Sequence, residues 1–245
     1  MKQFPKSESI SLFSVGAGIV GMAMQSWLFS TVDHKGLLPR NHISAIISFL
    51  LFAAIVAWTF YYLKNVKGSC DYEQQLPPSV VAAVGSCLAA VGFGISVMTP
   101  IAMGFLQTLL RLFGVLTVGT LLFSGYCRLQ GKRPNSLIYV PLILFLICRA
   151  LAFCQVWSSA VQVQAYFFPL LAGLFLLLTA YHRAALGLEA KSANRYLIFR
   201  QLALFCCLLS VVSDNGLFYL AGAVWTATDY AIPVSMKPLY PKGGA

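Results

Sequence analysis

Long apolar runs separated by short polar breaks dominate the chain. Eight runs stand out, at residues 11–29, 43–63, 80–98, 101–126, 137–157, 163–181, 196–212 and 217–234. Each is close to the roughly 20 residues that a helix rising about 1.5 Å per residue needs to cross the hydrocarbon core of a bilayer. None alternates with the period of two that a membrane β-barrel requires. Lipid offers no partners to backbone N–H and C=O groups, so a spanning segment must close its hydrogen bonds internally as a helix. The pattern predicts an all-α, polytopic integral membrane helix bundle with about eight transmembrane helices.

The breaks carry turn chemistry. Thr99-Pro100 divides the third and fourth runs, with Thr99 expected as N-cap and Pro100 as the first helical residue of the fourth. Ser213-Asp214-Asn215-Gly216 divides the seventh and eighth. Thr226, Thr228, Asp229 and Pro233 interrupt the eighth run, and a re-entrant segment there would leave seven spans. Residues 1–236 are expected to form a single transmembrane domain, and the Pro- and Gly-rich residues 237–245 a short disordered cytoplasmic tail. Lys2, Lys6 and the Gly21-Met22-Ala23 triplet have the outline of a cleavable leader, but Glu8 and the interspersed Ser and Gly residues favour a retained helix. Hairpins starting at Val80, Leu137 and Tyr196 are evenly enough spaced to hint at repetition.

Composition agrees with the pattern. Hydrophobic residues make up 59% of the 245 and charged ones 10%, and mean hydropathy is +0.78. A soluble domain carries about 25% charge, needed to cover its surface. The net charge of +10 would suggest nucleic acid in a soluble protein. Here the bases cluster between apolar runs, so no nucleic-acid partner is expected, and the clusters read as loop charge facing anionic headgroups. With the N-terminus inside, the inner segments hold twelve bases: Lys2, Lys6, Lys64, Lys67, Arg128, Lys132, Arg133, Arg183, Lys191, Arg195, Lys237 and Lys242. The outer loops hold two, Lys35 and Arg40. That bias predicts N-in/C-in topology, with a bacterial cytoplasmic (inner) membrane as the expected location.

Most chemical motifs dissolve on inspection. The seven cysteines form no CxxC pair and lie mostly in apolar runs, so neither a metal nor a disulfide framework is expected. Residues 16–21 match GxGxxG, but inside an apolar helix with no preceding strand, so no dinucleotide cofactor follows. Gly18 and Gly21, with Ser14 and Ala17, form small-xxx-small pairs suited to close helix packing. The third run repeats this as Ala82, Ser86, Ala90 and Gly94, either a tightly packed central helix or a docking face for a partner or a second copy. No span contains Glu, the histidines sit in or beside loops, and Arg133-Pro134 is only a fragment of a membrane-phosphatase signature, so an enzyme is not expected.

The remaining informative residues are charged. Arg111 and Arg149 both fall near the middle of their runs, at an insertion cost of roughly 2.5–3.5 kcal/mol each, which predicts a shared, sheltered interior. Gln107 and Thr108 lie on the same helical face as Arg111. Arg200 and Asp229 lie at similar depths on consecutive runs, where either an ion pair between them or snorkelling of Arg200 to the inner headgroups is expected. Together these predict a transporter-like protein binding or moving a small anionic solute at Arg111, Arg149, Gln107 and Thr108. The alternative is a sensor or assembly partner docking through the small-residue face of the third helix.

Overall fold

The computed structural model describes residues 7–31, 42–64, 78–101, 104–158, 166–186 and 192–229. The tail, residues 230–234 of the eighth run, and Lys2, Lys6, Lys35, Arg40, Lys67 and Lys191 lie outside the described residues.

Each apolar run closes its own backbone hydrogen bonds, and eight α-helices form among the described residues. They are α1 (Ser7–Ser30), α2 (Ile43–Lys64), α3 (Val80–Met98), α4 (Phe105–Gln130), α5 (Val140–Ser158, entered through a 3-10 turn at Ser136–Tyr139), α6 (Phe167–Ala185), α7 (Ser192–Ser210) and α8 (Gly216–Thr228). Six of them, α1 to α6, are long and apolar enough to cross a membrane, which makes the chain a multi-pass integral membrane protein. α7 has the length but carries Asn194, Arg195, Arg200 and Gln201. α8 is apolar but has only 13 residues, or about 20 Å of rise.

Packing compensates for both exceptions. α7 lies against α1, α2, α6 and α8, and its residues 201–207 are all buried. α8 lies against α3 and α7. The two helices least suited to lipid are thus the two most enclosed by protein. Phe93 of α3, Phe145 of α5 and Phe218 of α8 form a fully buried ring cluster, with centroids 5.3–6.3 Å apart, that ties these elements together.

Small residues set the close approaches. Ala82, Ser86 and Ala90 are buried on the face of α3 that meets α4 and α8, while Val84, Leu88, Val91 and Ile95 point outward. A side chain on Gly85 would collide with Thr228, and one on Gly92 with Ala221. Gly94 faces Val118 of α4, and Gly18 and Gly21 face Leu208 and Leu209 of α7. The small-residue faces are therefore occupied within one molecule.

One boundary differs from expectation. Thr99 does not cap the fourth helix; it ends α3 in an extended conformation, its hydroxyl donating to the Ser96 carbonyl at 2.7 Å. A residue before proline is sterically pushed out of the helical region, so Pro100 terminates α3 rather than starting α4. α4 begins only at Phe105, after Gly104 at φ +65°.

Candidate functional site

Two polar centres lie at opposite ends of the bundle. The first surrounds the C-terminus of α8. Asp229 follows the helix directly and is buried. Arg183 Nε, near the end of α6, donates to its Oδ2 at 2.6 Å, and Arg128 Nε, near the end of α4, lies 3.3 Å from its Oδ1. The Tyr196 hydroxyl sits 2.7 Å from the Asp229 carbonyl oxygen and 3.0 Å from Oδ2, and shares its proton between them. Arg200 Nε donates to the carbonyl of Thr226 at 2.6 Å and Nη2 to that of Ala227 at 3.2 Å.

The last carbonyls of a helix have no partner within it, and a helix C-terminus carries partial negative charge. A short helix ending inside a bundle cannot turn to water for relief. Three arginines converge where α8 presents both its carbonyl end and a carboxylate. The arrangement corrects two expectations. Arg200 holds carbonyls, and the carboxylate of Asp229 is paired with Arg183 and Arg128. Those two arginines are buried and structural, although their positions at the ends of apolar runs read as solvated loop charge. α4 runs on to Gln130 and α6 to Ala185, so both side chains are still inside the bundle.

A signal for this cluster exists in the sequence. Leu121-Leu122-Phe123-Ser124-Gly125-Tyr126-Cys127-Arg128 and Leu176-Leu177-Leu178-Thr179-Ala180-Tyr181-His182-Arg183 share the form Leu-Leu-x-Ser/Thr-small-Tyr-x-Arg. The two copies also share their burial. Leu121, Ser124 and Arg128, like Leu176, Thr179 and Arg183, are buried on one face, while Tyr126 and Tyr181 are exposed. Tyr139 and Tyr196, each entering the following helix, extend the likeness. Tyr139 shares a 2.7 Å hydrogen bond with Ser124 and lies under Arg183, and Tyr196 bonds Asp229.

The second centre lies toward the α3–α4 and α7–α8 turns. Arg149 of α5 is 7% exposed. Its Nη2 donates to Asn215 Oδ1 at 3.3 Å, and its guanidinium lies 3.8 Å from the centroid of the Phe218 ring. Asn215, Phe218 and Tyr219 occupy the first turn of α8 at helical spacing, so one face of that turn meets the arginine. Among the described residues no carboxylate pairs with Arg149. The group lines a small, partly open cleft with Asn215, Tyr219, Phe153, Leu170 and Gly173 among its walls.

The other sequence-predicted residues are elsewhere. Arg111 and Thr108 are exposed on α4, and Gln107 Oε1 accepts a hydrogen bond from the Ile101 backbone N–H at 3.2 Å, closing the α3–α4 turn. The expected pairing of Arg111 with Arg149 in one hollow is overturned, because Arg111 is absent from the pocket lining. The reason is the late start of α4. Arg111 is six residues, about 9 Å, from its first residue rather than at mid-span, within reach of an interface by snorkelling.

Chemically, the first centre is a buried ion-paired lock, and the second offers spare hydrogen-bond donors beside an apolar cleft. Among the described residues no group of three His, Cys, Asp or Glu side chains is placed to hold a metal. The chain matches no family model, and no curated protein or solved structure shows significant similarity to it, so the reading of its function rests on this geometry.

Proposed function

We propose that this multi-pass membrane protein binds a small anionic solute at Arg149 and moves it across a cytoplasmic membrane, with α7 and α8 completing eight crossings and the termini of the chain on the cytoplasmic side. The distribution of Lys and Arg along the chain supports the orientation. It sets the Asp229 lock at the inner end and the Arg149 pocket in the outer half.

The observation that carries the reading is the state of Arg149. A guanidinium has five N–H donors, and among the described residues this one uses a single donor, toward Asn215. It also faces the N-terminal turn of α8, where the backbone presents partial positive charge and the Asn215 side chain supplies no cap. Two positive potentials meet at the pocket, and an anion relieves both. The assembly reading has less to stand on, since the small-residue face of α3 is filled by α4 and α8.

The test uses the purified full-length protein. Small anions are expected to raise its melting temperature, and Arg149→Gln to fold but lose the rise. Arg111→Gln should keep it. Uptake of the stabilising anion into proteoliposomes should fall in Arg149→Gln alone. An anion response that survives Arg149→Gln would remove the assignment.

A further inference from the structure

Resting on the anion-binding reading of Arg149, we infer that the pocket is built for a monocarboxylate with an apolar body, held by Arg149 and Tyr219 at its charged end and by the α5–α6 wall along its hydrocarbon.

Charge sets the first limit. Among the described residues Arg149 is the one charged group lining the pocket, so a single negative charge is matched and a second would stay unbalanced in a low-dielectric site. The planar fork of a guanidinium suits the two oxygens of a carboxylate better than a spherical halide.

Tyr219 supplies the second donor. It is buried and lines the same pocket as Arg149, and among the described residues its hydroxyl makes no hydrogen bond. With no partner among those residues, the hydroxyl can donate to a ligand oxygen in the pocket.

The remaining walls are apolar. Phe153, Leu170 and the backbone of Gly173 offer no hydrogen bond to an anion such as sulfate, but they do offer apolar contact to methylene groups. A Cβ built on Gly173 meets nothing within 4 Å, so the space beside its backbone is open. Each methylene buried there should tighten binding about fourfold until the space is full.

Wild-type protein in detergent would be titrated with chloride, sulfate, acetate, butyrate, hexanoate and octanoate, following the melting temperature. Affinity is expected to rise about fourfold per methylene from acetate onward, and sulfate to bind no better than acetate. Tyr219→Phe should weaken all carboxylates together. Gly173→Leu should erase the gain with chain length while leaving acetate binding in place. A gain that stops at butyrate or hexanoate supports a short water-borne acid. One that continues through octanoate supports a fatty acid drawn from the bilayer. Equal binding of chloride and hexanoate in wild type would overturn the inference yet leave the anion site standing. No response to any of these anions would remove the anion site itself.

Discussion

Asp229 shows what a single acid can organise inside a bundle. Its carboxylate faces Arg183 and Arg128, and its backbone closes the end of α8 beside Arg200. Removing one partner of a buried ion pair leaves uncompensated charge, at a cost of about 3–5 kcal/mol. Asp229→Ala should therefore lose about that much stability, read as earlier loss of monodisperse protein on heating. Replacing the pair together, as Arg183→Met with Asp229→Leu, should recover part of the loss, because a packed apolar pair carries no desolvation penalty. Wild-type stability in Asp229→Ala would show that the cluster locks nothing. Arg149 is the contrasting residue, equally hidden but with donors to spare.

At the scale of elements, α3 and α8 depend on each other's smallness. Gly85 and Gly92 admit Thr228 and Ala221, and Ala90 is fully buried. Overfilling such a contact costs about 1–3 kcal/mol. Ala90→Leu should lower the stability of the monomer itself, measurable by thermal unfolding at a protein concentration too low for association. An unchanged monomer that loses only a co-purifying complex would return the face to the surface. α7 makes the complementary point. A helix carrying Arg200 and Gln201 is acceptable here because α1, α2, α6 and α8 enclose that face.

For the whole molecule, the separation of the two centres gives the bundle polarity. The lock gathers charge at one end, and the pocket opens toward the turns at the other. The proposed eight crossings would set Arg40 outside and Lys132 inside. In a cysteine-free background, a membrane-impermeant thiol reagent added outside should label Arg40→Cys and spare Lys132→Cys. A reporter fused after Ala245 should read as cytoplasmic. Labelling in the reverse order would invert the orientation, and an external reporter would reduce the crossings to seven.

The apolar runs by themselves determined that the chain is a helical membrane bundle and placed its helices, because backbone hydrogen bonding in lipid leaves no alternative to the helix. They also marked Arg149 and Asp229 as costly residues that need a reason. Which groups answer them was decided only in three dimensions. Partners for a buried charge come from other helices, as Arg183 comes to Asp229 from 46 residues away and Asn215 to Arg149 from 66. Depth read along a run also depends on where the helix starts, and the start of α4 at Phe105 rather than Ile101 moved Arg111 from an expected midplane site to the exposed surface. The matched Tyr-x-Arg ends of α4 and α6 were legible in the sequence, but their meaning was not, because only the packed bundle brings them to one carboxylate.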